Sequence, residues 1–203
     1  MTKIEIIKYT IVKVRELFQN YPVPAHGIEH VARVATWARL IASREKANVF
    51  LAEMSGWLHD IGRTKEKERL GASSFHQEMS YEMCREWFKN DPILKLLSKK
   101  EKEIILYAVR YHWNNSADKY PEAVILRDAD KLDLFGEVGI KRAEEYWEND
   151  EEKMEKAFRL VFSDLSFIMT KTAQKIARDR KLVEPVKKFY FTLLKKRILK
   201  IKL

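Results

Sequence analysis

The sequence is poor in the residues that cross-link or interrupt a chain. Among its 203 residues there is one cysteine, Cys84, and there are only six glycines and five prolines. A single cysteine cannot form a disulfide within the chain, which excludes the small secreted proteins that are held together by disulfides. Because glycine and proline are the strongest helix breakers, their scarcity favours long helices.

Long apolar runs are missing as well. No uncharged stretch reaches the roughly 20 residues that span a bilayer, and Lys3, Glu5 and Lys8 interrupt the apolar positions where a signal peptide would lie. We therefore expect a soluble, cytoplasmic protein with no membrane partner. Hydrophobic residues make up 46% and charged residues 34% of the chain, which is typical of a globular protein. Its length predicts one domain over residues 1–203.

The net charge of +9 is concentrated at the C-terminal end. From Lys171 onward there are 12 basic and two acidic residues, so residues 1–170 are close to neutral. The same region predicts an amphipathic helix, whose apolar positions are Val186, Phe189, Tyr190, Leu193, Leu194, Ile198 and Ile201. This pattern indicates a helix that packs on the domain and exposes a basic stripe.

The remaining patterns predict an all-α protein of about nine to eleven helices without strands. Capping boxes at Thr2–Glu5 and Ser98–Glu101 mark two helix starts. The first helix ends near Asn20, and its predicted apolar face is Ile4, Ile7, Ile11, Val14 and Phe18. Further helices are predicted to begin near His26–Gly27 and near Ser73–Ser74, and others to span about 47–61, 139–147, 151–162, 164–178 and 185–201.

His59 and Asp60 adjoin at the end of an apolar helix. Neighbouring residues on a helix point about 100° apart, so the two side chains cannot share a face, but both can reach an ion beyond the helix end. Neutral imidazole and carboxylate are ligands for manganese, iron, cobalt, nickel or zinc. An isolated pair of this kind is more often structural, and the interpretation depends on the rest of the chain.

The rest of the chain supplies further ligand types. All five histidines lie between residues 26 and 112, and the segment 128–133 contains three aspartates on a mostly apolar helix. Buried carboxylates are costly unless a cation or hydrogen-bond donors compensate them. Asp128 and Asp130 are two positions apart and point to nearly opposite helix faces, so only one of them should reach an ion.

These motifs, in this order, resemble the HD superfamily of metal-dependent phosphohydrolases. They are His30-x-x-Arg33-Val34, His59-Asp60-Ile-Gly and Asp128-Ala-Asp130-Lys-Leu-Asp133. The most similar type is the small stand-alone bacterial and archaeal HD protein, of which some hydrolyse nucleotides. The resemblance covers about residues 20–145, leaving about 146–203 as a helical extension. It implies an all-helical fold and one divalent ion, held by His30, His59, Asp60 and Asp130.

Within that resemblance, Asp130 is preferred to Asp128 because it precedes Lys131 and Leu132 as the distal aspartate does in related signalling-nucleotide hydrolases. His76 and His112 resemble residues that line the pocket or bind a second metal in other members. The tandem motifs of the cyclic-dinucleotide phosphodiesterases and the Glu-Asp pair of the alarmone hydrolases are absent, which argues against those branches.

The predicted activity is hydrolysis of a phosphate ester or anhydride of a nucleotide or related small molecule. A divalent ion (Mn, Fe, Co, Ni, Zn or Mg) makes a bound water nucleophilic at neutral pH. The predicted catalytic residues are Asp60, Lys131, His76 and His112. Arg33, Arg63, Lys131 and, with less support, Arg127 are predicted to hold substrate phosphate.

Two alternatives remain open at this stage. The basic C-terminal region suits a nucleic-acid-binding or regulatory module that keeps the fold with little turnover. A few HD relatives with two irons carry out redox chemistry, which predicts iron content and oxygen uptake. The sequence leaves the metal, the substrate and the oligomeric state open.

Overall fold

Local capping sets where the helices begin. In the computed structural model, which describes residues 1–68 and 75–201, both predicted capping boxes form: Thr2 with Glu5, and Ser98 with Glu101. The ten α-helices within these described ranges are α1 Lys3–Asn20, α2 Ile28–Glu45, α3 Val49–Leu58, α4 His76–Asn90, α5 Lys99–Tyr111, α6 Pro121–Leu132, α7 Gly136–Tyr146, α8 Glu151–Asp164, α9 Lys171–Asp179 and α10 Val183–Ile201.

Three 3-10 helices complete the described secondary structure, at Ile61–Glu68, Leu94–Leu96 and Leu165–Phe167. No strand occurs within those two ranges of residues. The all-α prediction of nine to eleven helices is therefore confirmed.

Several predicted boundaries shift for identifiable reasons. The second helix begins at Ile28, because Ala25 has a φ of 59° and Gly27 is extended. The predicted helix over 164–178 is interrupted, since Ile168 is extended and the Thr170 side chain caps α9. The described part of the fourth helix begins at His76; its predicted start at Ser73–Ser74 lies outside the described residues.

The predicted apolar face of α1 was partly wrong. The buried stripe of α1 is Ile6, Thr10, Val14 and Phe18, spaced by four residues, whereas Ile4 is 68% exposed. A polar residue, Thr10, lies in that stripe because its hydroxyl donates to the Ile6 carbonyl oxygen at 2.9 Å. Because this hydrogen bond lies within the helix, a threonine can occupy the buried face, which a prediction from hydrophobicity alone does not find.

The core consists of two hydrophobic clusters that meet along α2 and α3. One gathers side chains of α1, α3, α4 and α5, including Met54, Leu58 and Ile105. The other gathers α2, α6 and the C-terminal helices, including Leu126 and Phe158. Helices α2, α3 and α6 are in mutual contact at the centre of the molecule.

Helix α10 packs through only part of its predicted apolar face. Val186 and Leu193 are buried in the second cluster, and Phe189 is partly buried against it, whereas Ile198 is 55% exposed. Helix α10 contacts α7 and α8, and Leu199, next to Ile198, is also exposed. No helix among the described residues is both long and apolar enough to span a bilayer.

Two glycines allow the close helix contacts on which the site depends. A Cβ atom at Gly56 of α3 would lie 2.5 Å from the Ala35 Cα of α2. A Cβ atom at Gly62 would lie 2.4 Å from the His76 carbonyl oxygen and 2.3 Å from the Ser80 nitrogen, both on α4. Any larger residue would separate these elements, so glycine is required for the backbone approach at both positions.

Candidate metal centre

The four predicted metal ligands converge at helix ends. His30 lies in the first turn of α2, His59 is the C-cap of α3, Asp60 follows it, and Asp130 lies in the last turn of α6. The Nε2 atoms of His30 and His59 are 3.2 Å apart. Asp60 Oδ2 lies 3.6 and 3.8 Å from these two nitrogens, and Asp130 Oδ1 lies 3.4 and 3.9 Å from them.

The other carboxylate oxygen of Asp60 faces a second pair of histidines. Asp60 Oδ1 lies 3.4 Å from His76 Nε2 and 3.8 Å from His112 Nε2. These two ring nitrogens are 3.2 Å apart. Asp60 therefore belongs to two groups, His30–His59–Asp60 and Asp60–His76–His112, and within each group the ligand atoms lie within 4.8 Å of one another.

Hydrogen bonds at the outer ring nitrogens orient three of these histidines. The Nδ1–H group of His59 donates to the Gly56 carbonyl oxygen at 2.8 Å, and that of His112 donates to the Val109 carbonyl oxygen at 2.7 Å. Nδ1 of His30 donates to Asp133 Oδ2 at 2.7 Å. These bonds assign the proton of the neutral ring to Nδ1, so Nε2 of His59 and of His112 presents a lone pair to the centre. Burial lowers the pKa of His30, but the carboxylates of Asp133 and Asp60 raise it above the ordinary value, and Nε2 of His30 presents a lone pair when that ring is neutral.

Burial keeps most of the imidazoles neutral. It lowers the pKa of His59 to about 4, against the opposing effect of Asp60. It also lowers the pKa of His76 and of His112 below the ordinary value. Neutral imidazole is the form that binds metal ions, so these rings are in the ligand-competent state at pH 7.

The residues present fit a divalent cation. The Nε2 atoms face each other at 3.2 Å in each histidine pair, and Asp60 Oδ1 is buried and accepts no hydrogen bond among the described residues. Such groups repel one another or cost desolvation energy unless a positive charge lies between them. Imidazole nitrogens with carboxylate oxygens form the donor set of first-row transition metals.

Asp133 orients His30 through the ring nitrogen that points away from the centre. The sequence interpretation missed this role. The buried carboxylate of Asp133 also accepts hydrogen bonds from Arg33, at 2.7 and 3.0 Å, and from Arg142 Nη1 at 3.0 Å. Burial alone would raise the pKa of Asp133, but the hydrogen bonds from His30 and Arg33 lower it. Asp133 is the third aspartate of the 128–133 segment, so the motif itself pointed to a role for this residue. Arg142, in contrast, lies in no motif.

The predicted phosphate ligands are placed at different distances from the centre. Arg63 adjoins it: Nε donates to Asp60 Oδ2 at 2.7 Å, and Nη2 lies 3.3 Å from His76 Nε2. Burial would raise the pKa of Asp60, but Arg63 brings it well below the ordinary value. The Arg33 guanidinium is instead bound to Asp133, with about a third of the side chain exposed.

Lys131 and Arg127 are both engaged by the loop that precedes α6. Lys131 is buried and donates from Nζ to Asn115 Oδ1 at 2.8 Å. Arg127 Nη1 donates to the carbonyl oxygens of Asn114 and Ala117 at 2.6 and 2.8 Å. Arg127 thus fixes this loop, which is a structural function, and Asn115 is a further polar residue that the sequence interpretation missed.

The structure separates the two candidate distal aspartates. Asp128 faces away from the histidines and accepts hydrogen bonds from the Met169 nitrogen, the Thr170 nitrogen and the Thr170 hydroxyl, at 3.1, 2.6 and 2.7 Å. Asp130 faces His30 and His59, and its side chain is 28% exposed. Only Asp130 is placed where it can contact an ion at this centre.

Comparison with known proteins identifies the family of this chain. The HD domain family model matches residues 27–134, more than half of the chain. A predicted HD superfamily hydrolase from an uncultured Thermotogales bacterium has a similar structure, with 31% identity, a TM-score of 0.66, and coverage of 93% of this chain and 91% of that one. The Bacillus subtilis YpgQ crystal structure in complex with ADP aligns with a TM-score of 0.69 at 21% identity, covering 97% of both chains.

Curated relatives match over shorter stretches. YpgQ of Bacillus subtilis is 28% identical over 124 residues, which are 58% of this chain and 55% of that protein. Ribonuclease Y of Petrotoga mobilis is 28% identical over 137 residues, which are 66% of this chain and 24% of that protein. The matched region thus spans about half the length of the first relative and about a quarter of the second.

Proposed function

This chain belongs to the HD domain family of metal-dependent phosphohydrolases, and we propose that it hydrolyses a phosphate ester or phosphoanhydride of a nucleotide or related small molecule. The observation that supports this most is the position of Asp60. One of its oxygens faces the His30 and His59 nitrogens, and the other faces those of His76 and His112. A buried carboxylate placed between four imidazoles suits a centre that holds divalent cations.

The proposed ligands of the main ion are His30, His59, Asp60 and Asp130. When bound there, a divalent ion polarises a phosphoryl oxygen and lowers the pKa of a coordinated water. Arg63 adds a fixed positive charge directly beside Asp60, where it can hold a phosphoryl oxygen of the substrate. Lys131 is a weaker candidate for phosphate binding because Asn115 holds its ammonium group.

His76 and His112 are proposed to act on the far side of Asp60. Two roles suit their Nε2 atoms: direct contact with substrate phosphate, or coordination of a second ion that shares Asp60. Metal content distinguishes them. A centre with two ions loses one equivalent in His112→Ala, whereas a direct phosphate contact leaves the content unchanged and lowers turnover about 10²–10⁴-fold.

A nucleotide is the favoured substrate class. YpgQ, a protein of the same fold, was crystallised with ADP, and ribonuclease Y is named for action on RNA. Both ligands contain phosphate attached to a nucleoside. The metal-centre geometry itself is suited to the phosphoryl group and does not select the group attached to it.

The alternative of a nucleic-acid-binding module has less support. Two of the basic residues of α10, Lys196 and Arg197, form ion pairs with Glu151 and Glu155 of α8. Their charge is therefore partly compensated within the fold. The buried positions Val186 and Leu193 anchor the same helix in the core.

The test combines metal analysis with phosphate release. The purified protein is assayed with each candidate metal against a panel of nucleoside mono-, di- and triphosphates, with and without EDTA. We expect stoichiometric metal and EDTA-sensitive turnover, and loss of both in Asp60→Ala with helix content unchanged. Asp179→Ala, which removes an exposed carboxylate of α9, is the matched control.

Two results would contradict the proposal. One is an Asp60→Ala variant that retains stoichiometric metal and full turnover. The other is a parent protein that releases no phosphate or pyrophosphate from any nucleotide with any of the metals. In the second case, a salt-dependent gel shift would favour the nucleic-acid-binding alternative.

A further inference from the structure

A cavity of about 420 Å³ lies beside the metal centre. Three segments line it: residues 20–24 and His26 at the end of α1 and in the loop to α2, Arg63 and Thr64 after α3, and Glu145, Tyr146 and Glu148 at the end of α7. We refer to it as the Tyr146 cavity. Its volume is in the range of natural small-molecule sites, which extends from about 300 to 1,000 Å³.

The Tyr146 cavity shares two wall residues with the metal centre. Arg63 contacts Asp60 at 2.7 Å, and the His26 ring packs edge-on against His30 with centroids 5.5 Å apart. A phosphoryl group held between Arg63 and the histidines would therefore have the cavity directly beside it. The group attached to that phosphate is the natural occupant of the cavity.

The walls of the cavity are held in place in advance of any ligand. Arg142 of α7 donates from Nε to the Ala25 carbonyl oxygen at 2.7 Å, which fastens the loop between α1 and α2 to α7. The Tyr146 ring packs edge-on against His26 and Trp147, with centroids 5.3 and 4.8 Å apart. Tyr146 is nevertheless 43% exposed, so part of a firmly held aromatic ring remains available to a ligand.

The chemistry of the walls selects against phosphate and for an uncharged group. Glu145 and Glu148 are exposed and form no ion pair with another described residue. Their carboxylates repel phosphate but accept hydrogen bonds from hydroxyl and amino groups. Arg63, the cationic residue of the wall, is already beside Asp60. Tyr146 offers a stacking surface for a flat ring.

We infer that the Tyr146 cavity binds the nucleoside part of a nucleotide substrate, with the base against Tyr146 and the sugar hydroxyls toward Glu145 and Glu148. This inference rests on the proposed function, since it takes the phosphate to lie at the metal centre. It adds the orientation of the bound substrate, whose phosphate chain extends from the cavity toward the metal centre. Tyr146 and Glu145 then determine the affinity for the organic part of the substrate.

The decisive measurement is binding of free nucleosides in the absence of metal. The full chain in EDTA is titrated calorimetrically with the four ribonucleosides and thymidine. We expect saturable binding of at least one nucleoside, weakened about tenfold or more in Tyr146→Ala because an aromatic stacking partner is lost. Phe191→Ala, which removes an exposed ring on α10, is the matched control and should bind like the parent.

Kinetics provide the second arm. With the best nucleotide of the panel, Tyr146→Ala and Glu145→Gln should raise KM about tenfold with a much smaller change in kcat, because both residues contact only the organic part. A nucleoside that binds in EDTA should inhibit competitively. The inference is overturned if no nucleoside binds, or if Tyr146→Ala binds and turns over substrate as the parent does.

The two arms separate this inference from the proposed function. EDTA-sensitive phosphate release without nucleoside binding would refute the role of the cavity and leave the phosphohydrolase intact. Nucleoside binding without release of phosphate or pyrophosphate from any nucleotide would refute the proposed reaction and retain the cavity as a nucleoside site.

Discussion

Asp128 and Asp130 lie two residues apart on one helix, and their surroundings differ completely. Asp128 faces the segment before α9, where two backbone N–H groups and a hydroxyl donate to it. Asp130 is partly exposed and faces the Nε2 atoms of His30 and His59. A carboxylate surrounded by hydrogen-bond donors stabilises the fold, whereas a carboxylate that faces imidazole nitrogens is placed to share a cation with them. The donors around a carboxylate therefore reveal its function better than its burial does.

The largest effect is expected from the aspartate on the histidine side. Asp130→Ala should abolish stoichiometric metal binding and turnover, because it removes one of the four proposed ligands. Its melting temperature without metal should change little, since Asp130 accepts no hydrogen bond from the described residues comparable to those of Asp128. Metal analysis and calorimetry of the EDTA-treated protein measure the two effects. If Asp130→Ala still binds metal tightly, Asp130 is not a ligand and the proposed difference in function between Asp128 and Asp130 is wrong.

Asp133 should have an intermediate effect, because it acts on the centre through His30. In Asp133→Asn the charge that orients and polarises the His30 ring is lost, and metal affinity should fall about 10–100-fold. Chelator competition measures the affinity, and Asp179→Asn on the surface serves as the control. An unchanged metal affinity alongside a lowered melting temperature would show that Asp133 only joins α2, α6 and α7.

Asp128→Ala should reduce stability and spare the metal centre. Removing the carboxylate leaves the Met169 and Thr170 donors without their acceptor, and the free energy of unfolding should fall by about 1–3 kcal/mol. Denaturant unfolding measures this loss, and metal titration checks the centre. If Asp128→Ala instead loses metal at unchanged stability, the ligand role belongs to Asp128 and the assignment of Asp130 is wrong.

Asp91 extends the comparison to a donor-surrounded carboxylate far from the histidines, with the smallest expected effect. Burial would raise the pKa of Asp91, but hydrogen bonds from the Leu94 nitrogen and the Tyr9 hydroxyl lower it. The folded state therefore favours the ionised form. Its stabilising contribution is complete above the unfolded pKa of about 3.9 and is lost as pH falls below that value.

The Asp91 prediction is measured as a pH dependence of stability. The difference in melting temperature between the parent and Asp91→Asn should shrink as pH decreases from 6 toward 3. Asp118→Asn provides a control in a surface loop. A difference that stays constant over this range would show that the ionised state of Asp91 contributes nothing to folding.

The sequence located the proposed metal ligands better than it located the residues that hold them in position. His30, His59, Asp60 and Asp130 were identified from motif order, and the structure brings them together. The helical class followed from periodicity and capping, which are local properties. Arg142 could not have been found in this way, because its contacts with Asp133 and Ala25 depend on how α7 packs.

Glycine positions illustrate the same limit. Gly62 follows the predicted helix over about 47–61, but its lack of a side chain matters because backbone atoms of α4 lie within 2.4 Å of where a Cβ atom would be. The choice between Asp128 and Asp130 required knowing which face of α6 meets α2 and α3. Which faces of the helices meet depends on how the helices cross, and a single sequence contains little information about these crossings.

The position of Arg142 limits how the sequence of this protein can change in evolution. Its guanidinium contacts both the carboxylate that orients a proposed metal ligand and the loop that forms one wall of the Tyr146 cavity. A mutation at this residue would therefore alter metal affinity and ligand preference at once. Diversification of specificity by single steps is easier at Tyr146, Glu145 and Glu148. Within the described part of the chain, these residues are linked to the proposed ligands only indirectly, through the packing of Tyr146 on His26 and of His26 on His30. Arg142 is thus a residue that selection should hold constant while the outer rim varies.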